Sequence, residues 1–165
     1  MFNPTSLFCR YLAQLQHWLG VIEHHGGDAL LNARLHDDML PLVNQVRAAA
    51  NFTLRGSCPL AGRDVISFEC DTASYRALRQ QLEQTAAYLQ KLEFDEAQLP
   101  AEIAENAGFN RVSLPPEAFI TLYIVPNFFF HLNMVYAIAR HHGVPLSKQD
   151  YDGFHGYPSG FSFDC

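Results

Sequence analysis

Apolar residues recur at intervals of three and four along most of the chain, which is the spacing of amphipathic α-helices. Their pattern predicts four helices, over residues 5–26, 28–52, 72–92 and 116–143. Thr5 is the predicted N-cap of the first helix, and Asp71 or Thr72 that of the third. Glycines follow paired histidines at the ends of the first and last helices, at Gly26 and Gly143. These are typical helix stop signals.

Glycines and prolines interrupt the helical pattern between the predicted helices. Residues 54–71 read as a connection, residues 94–116 as a longer one with a brief strand at 111–114, and Pro126 is expected to kink or divide the last helix. The tail from residue 147 to 165 is rich in aromatic residues, namely Tyr151, Phe154, Tyr157, Phe161 and Phe163. We expect them to cover the open end of a helical bundle, with a ligand pocket or a subunit contact as the alternative.

Composition and charge narrow the class of protein. The 165 residues, 48% of them hydrophobic, suit one domain spanning residues 1–165. Seventeen acidic side chains against 11 basic ones give a net charge of -6, and no basic run is present. The balance disfavours nucleic acid and anionic membrane surfaces as partners. We expect a soluble, cytoplasmic protein, because the N-terminal residues do not resemble a secretory signal.

One segment, residues 119–139, is long and apolar enough to span a bilayer. It contains Pro126, Asn127, His131 and Asn133. Polar side chains are costly in a bilayer, whereas a helix inside a soluble bundle can carry them if they find partners. We therefore interpret this segment as the buried central helix.

His131 is the residue most suggestive of chemistry. On a helical wheel it shares one direction with Phe128, Met134, Val135 and Ile138, which makes it core-facing. Asn127 lies one turn earlier on the same stripe. Both polar groups need partners, because an unpaired buried amide or imidazole costs about 1–3 kcal/mol.

On the predicted second helix, His36 and Asp38 flank the apolar stripe, so that either could turn towards His131. Two explanations stay open. His131 is a hydrogen-bonded core histidine, or it shares a divalent metal, zinc, nickel or iron, with one of these side chains. No nucleophile elbow or glycine-rich phosphate loop offers another catalytic set.

Two strings of residues carry a family resemblance. Residues 33–46 (ARLHDDMLPLVNQV) and 126–131 (PNFFFH), continued by 136–140 and 143–151, resemble an uncharacterised branch of the DinB/YfiT-like superfamily. With residues 60–62 and the helix after Asp71, the resemblance covers nearly the whole chain. It implies an all-α, four-helix bundle of the up-down-down-up type that is expected to form a homodimer.

The resemblance also implies a metal site that this chain lacks in part. Members of the wider superfamily commonly bind a divalent metal through one histidine of the second helix and a His-x-x-x-His pair in the last. The second member of that pair matches His131, but the first falls on Asn127, an amide that binds transition metals weakly. We therefore favour a non-catalytic or small-ligand-binding bundle with a degraded metal site. The alternative is a divalent-metal-dependent transferase or hydrolase, for which a thiol is one candidate cosubstrate, with His131, His36, Asp38 and Asn127 as candidate ligands.

Overall fold

The computed structural model describes residues 3–158 and 160–162, and within them the chain is mostly helical. The helices are α1 (Thr5–Gly26), α2 (Leu42–Leu60), α3 (Tyr75–Leu89), α4 (Pro116–His141) and the short α5 (Lys148–Asp152). Strands β1 (Ile103–Ala107) and β2 (Asn110–Leu114) pair antiparallel, and 3-10 turns cover Gly27–Asn32 and Glu96–Gln98. The four long helices bury one apolar core, which includes Phe8, Trp18, Leu54, Leu78 and Phe128.

The predicted bounds of the first helix are confirmed almost to the residue, but its predicted cap is wrong. Thr5 is the first helical residue, and Pro4 stands at the N-cap without a side-chain hydrogen bond. At the other end Gly27, with φ 58°, adopts a positive φ that favours glycine. The chain can therefore turn at once into the 3-10 helix.

The second helix was predicted to start 14 residues and to end 8 residues too early, with residues 28–52 in place of Leu42–Leu60. Pro41 is the N-cap of α2 and is extended, with ψ 162°, and its ring disfavours a helical conformation for Leu40 before it. The apolar pattern before it is not a helical stripe: Leu31 is buried, whereas Leu35 and Leu40 are 39% and 45% exposed. His36 and Asp38 consequently lie in an irregular loop.

Helix α2 continues through residues 54–60, which the glycines and the proline had predicted to be a connection. Gly56 is buried where α2 crosses α4, and a Cβ atom there would lie 2.6 Å from Ile124 Cγ2. The glycine therefore allows the two helices to approach closely. Pro59 lies in the final turn of α2.

Helix α3 is shorter than its prediction, because it is capped by neither Asp71 nor Thr72. Ser74 is the N-cap, and its hydroxyl accepts a hydrogen bond from the Ala77 amide. The strand predicted at residues 111–114 is confirmed as part of β2. Its partner β1 was not predicted, and the two are joined at Gly108, which has φ 62°.

Helix α4 is continuous across Pro126. Residues Phe119–Ile124 form a π-helical segment directly before the proline, and regular helix resumes at Val125. Such a widened turn is a common way to accommodate a proline within a helix. One face of α4 is fully buried, but Leu122 and Phe130 on the other are 70% and 50% exposed, so the helix is not buried all round. By length and composition alone, α4 is also long and apolar enough to cross a membrane, and 33% of an apolar 18-residue stretch within it is buried.

The tail begins with α5, which the sequence did not predict. Ser147 and Asp150 form a capping box at its N-terminus. Three side chains of α1 bind its backbone: Arg10 donates to the Asp152 carbonyl, while Gln14 and Trp18 both donate to that of Asp150, at 3.0 and 2.6 Å. Tyr151 stacks on Trp18, while Phe154 is 75% exposed beneath the Arg10 guanidinium. Phe163 lies outside the described residues.

Candidate functional site

His131 lies half-buried on α4 and is hydrogen-bonded to α2. Its Nδ1 is 2.7 Å from Oε1 of Gln45, a side chain that is only 2% exposed. The Gln45 amide nitrogen in turn donates to the Leu40 carbonyl at 3.1 Å. Since an amide oxygen only accepts, this arrangement assigns the proton to His131 Nδ1. Gln45 is thereby satisfied at both of its polar ends.

Aromatic rings surround the imidazole. The His131 ring stacks on Phe52 with centroids 5.4 Å apart, and the Phe130 ring meets it edge-on at 5.2 Å. The Arg55 guanidinium lies 4.2 Å from the Phe52 centroid. Burial lowers the pKa of His131, and the nearby positive charge of Arg55 lowers it further. Both effects favour the neutral form of the imidazole.

The charge of Arg55 is already compensated. Its Nε pairs with the Glu105 carboxylate on β1, and its Nη2 donates to the Tyr123 hydroxyl at 3.0 Å and to the Asn106 carbonyl at 3.3 Å. The pKa of Tyr123 is raised, mainly by burial. The positive charge of Arg55 opposes this shift, and the negative charge of Glu105 adds to it. The hairpin thus closes one side of this cluster with an ion pair.

Asn127 uses its amide nitrogen locally. The Nδ2 atom donates to the Tyr123 carbonyl at 2.7 Å, one turn back along α4. This bond holds the side chain against its own helix. The amide oxygen is the only ligand atom that Asn127 could offer, and it is a weak one for a transition metal.

His36 and Asp38 bind each other. His36 Nδ1 lies 2.6 Å from Asp38 Oδ1, and the two side chains are 72% and 83% exposed. The prediction that one of them is the partner of His131 placed both on a helix, and the loop before Pro41 replaces that helix. The hydrogen-bond partner of His131 is Gln45 instead. Across residues 3–158 and 160–162, no group of three or more His, Cys, Asp or Glu side chains could hold a metal ion.

Gln45 is the residue that the sequence reasoning missed. It lies among Leu42, Val43 and Val46, which are all buried. A polar residue inside such an apolar run is a signal for a buried hydrogen bond. The sequence reasoning missed it because the predicted helix began too early and its apolar face was assigned to residues that do not include Gln45.

Comparisons with known proteins identify the family of the chain and a structural neighbour. Residues 4–152 match the model of a family described as a domain of unknown function, DUF1993. The chain belongs to that family. A crystal structure of a DinB family member protein from Shewanella denitrificans is 27% identical and covers 94% of this chain and 92% of its own, with a TM-score of 0.78. The DUF1993 branch is thus related to DinB, as the resemblance predicted. No curated protein matches the chain.

Proposed function

We propose that this DUF1993 protein is a non-catalytic bundle that binds a small ligand, and that its ancestral metal position is closed by hydrogen bonds. The observation that carries the proposal is the 2.7 Å contact between His131 Nδ1 and Gln45 Oε1. It gives the core-facing imidazole a protein partner on the helix from which a relative would supply a histidine.

The chemistry of the donors supports the same conclusion. A transition metal in a catalytic site is usually held by three imidazole, thiolate or carboxylate ligands. Around His131 the polar side chains include the amides of Gln45 and Asn127 and the guanidinium of Arg55, each already bonded to protein. The residues present therefore do not fit a tightly held divalent metal.

We also propose that the long helices form the up-down-down-up bundle of the superfamily. Support comes from the order of contacts between helices. In the contacts between α1 and α4, higher residue numbers in one helix meet higher numbers in the other. In the contacts of α1 with α3 and of α2 with α4, higher numbers in one helix meet lower numbers in the other. The contacts are Phe8–Phe128 and Trp18–Tyr136, then Cys9–Ala86 and Glu23–Arg79, then Gln45–His131 and Phe52–Tyr123.

The test is the metal content of protein purified without a metal-affinity tag. We expect the wild type and His131→Ala to retain equally little zinc, nickel or iron after dialysis against metal-containing buffer. Gln45→His should place a second imidazole opposite His131 and raise zinc affinity by about tenfold or more. The gain should disappear in the double variant Gln45→His/His131→Ala.

His36→Ala is the matched control, since it removes an exposed imidazole that this proposal excludes from the site. Its metal content should equal that of the wild type. Stoichiometric metal in the wild type that is lost in His131→Ala would overturn the proposal. Loss in His36→Ala as well would restore the ligand set suggested by the sequence.

A further inference from the structure

A groove runs along the junction of α4 and α5. Two adjoining openings of about 430 and 370 Å³ share Tyr136 and Lys148 in their walls. We call this the Tyr136 groove and define it by the six side chains that its chemistry depends on. They are Tyr136, Arg140, Lys148, Tyr151, Tyr157 and Phe161.

Among the described residues, the charged side chains that line this groove are both cations, Arg140 and Lys148, although the protein carries a net charge of -6. The acids of the neighbouring α5 are bound elsewhere. Asp150 pairs with His17 at 2.9 Å and caps α5 through Ser147, while Asp152 Oδ1 accepts from two backbone amides and its Oδ2 binds His155. Lys148 Nζ reaches Asp152 only at 4.0 Å, at the limit of an ion pair.

Other grooves of the described chain differ in charge. The groove beside Lys91 and Arg63 is also lined by Glu93 and Asp95, so its charges balance. The groove between Arg47 and Arg55 contains Glu69, and Arg55 is already paired with Glu105. In comparison with these, the Tyr136 groove presents positive charge to whatever enters it.

The walls of the groove are aromatic. The rings of Tyr157 and Phe161 stack on each other with centroids 5.0 Å apart at 15°, and Tyr157 also stacks on His155 at 6.3 Å, so that this wall is a stack of rings. The Tyr136 and Tyr151 rings meet edge to face at 5.6 Å. Aromatic walls beside a guanidinium favour a ligand that combines a planar apolar ring with a negative charge.

We propose that the Tyr136 groove binds a small aromatic carboxylic acid, with its carboxylate at Arg140 and Lys148 and its ring against the aromatic walls. The inference rests on the ligand-binding half of the proposed function and gives that ligand a chemical class. Arg140 Nη1 donates to the Val144 carbonyl at 3.2 Å. Its Nε and Nη2 edge is suited to the carboxylate, because a guanidinium can form two parallel hydrogen bonds with it. Lys148, which lines both openings of the groove, adds a second positive charge.

The experiment is calorimetric titration of the full chain with 3-phenylpropionate and with its neutral amide. The carboxylate should bind about tenfold more tightly than the amide, because only the acid gains the charge-assisted bonds. Arg140→Gln should weaken binding of the acid by about tenfold and leave the amide unchanged. Lys148→Gln should produce a smaller loss in the same direction. Lys91→Gln, a surface lysine in the charge-balanced groove, is the matched control.

The fluorescence of Trp18, the only tryptophan, provides a second readout, since its ring contacts both Tyr136 and Tyr151. Its emission should change with the acid and follow the calorimetric affinity. Equal affinity for acid and amide, no binding of either probe, or binding unaffected by both groove variants would overturn the inference. Metal content at His131 is measured separately, so a failed groove and a failed non-metal site are distinguishable.

Discussion

Two polar regions lie along helix α4, and they differ in whether the protein supplies partners for their polar groups. Towards α2, His131 meets Gln45, and the nearby Arg55 is paired with Glu105. Towards the tail, Arg140 and Lys148 line a groove that no acidic side chain lines among the described residues. Both regions combine polar groups with aromatic rings. The difference is whether the protein itself supplies the complementary partner, which distinguishes a structural cluster from a binding surface.

The two regions are also held by different parts of the chain. Contacts between α2 and α4, supplemented by the hairpin, hold the His131 cluster. The Tyr136 groove depends on α1, where Arg10, Gln14, His17 and Trp18 recur at helical spacing and all bind α5. Because the tail forms one wall of the groove, loosening α5 should affect ligand binding without affecting His131.

The largest expected effect comes from Trp18→Ala. Trp18 is fully buried, so its loss should lower the free energy of unfolding by about 3–5 kcal/mol. The variant should also increase amide hydrogen exchange across α5, because the indole N–H bond to the Asp150 carbonyl disappears. Urea unfolding and hydrogen exchange measure the two effects.

Phe52→Ala is the matched control on the other side of the molecule. Phe52 is 7% exposed and packs on His131, so its truncation should also cost about 3–5 kcal/mol. It should leave the exchange of α5 under native conditions close to that of the wild type. Equal loosening of α5 in both variants would show that the two regions are not held independently.

The sequence predicted the fold better than the site, and particular residues explain why. The ends of α1 and α4 were predictable because glycine stop signals follow an unbroken apolar stripe. The start of α2 was not, because Leu31, Leu35 and Met39 imitate helical spacing in a segment that Pro41 separates from the helix. Local periodicity cannot register that Leu35 is exposed.

The partner of His131 could not be predicted from the local sequence pattern, for a different reason. Gln45 lies 86 residues away along the chain, and the bond exists only because α2 and α4 pack together. The sequence correctly marked His131 and Asn127 as polar groups in need of partners. The small ligand, the homodimer and the cytoplasmic location stay predictions.

A smaller effect should separate the His131 pair from the exposed His36–Asp38 pair. Gln45→Leu and His131→Leu should each cost about 1–2 kcal/mol, because each leaves the other polar group without its partner. The double variant should cost less than the sum, by about 0.5–1 kcal/mol. His36 and Asp38 are both exposed, so His36→Ala and Asp38→Ala should each change the free energy of unfolding by less than about 0.5 kcal/mol. The double variant should deviate from the sum of the two by less than about 0.5 kcal/mol. Additive losses at Gln45 and His131 in urea unfolding would contradict a direct bond.

The smallest effect is a dependence on pH that differs between the two regions. Burial, followed by the charge of Arg55, lowers the pKa of His131 below its usual 6.5. As the pH falls through 6.5, the unfolded chain takes up this proton before the folded protein does, so stability decreases and then levels off below the folded pKa.

The hydrogen bond from the Phe154 amide, and then those from His155, lower the pKa of Asp152 to about 2. Its contribution is present above 3.8 and is lost as the pH falls towards 2.

The pH ranges over which His131 and Asp152 affect stability can be separated with two variants that do not titrate at the mutated position. Urea unfolding of the wild type and His131→Gln should show a stability difference that shifts against the wild type between about pH 7.5 and pH 5. Asp152→Asn should differ from the wild type by a constant amount over that range and converge with it only below about pH 4. A constant difference for His131→Gln would mean that its imidazole is as easily protonated in the folded protein as in the unfolded chain. The His131 cluster would then be open to solvent, and the contrast between a closed cluster and an open groove would fail at its first member.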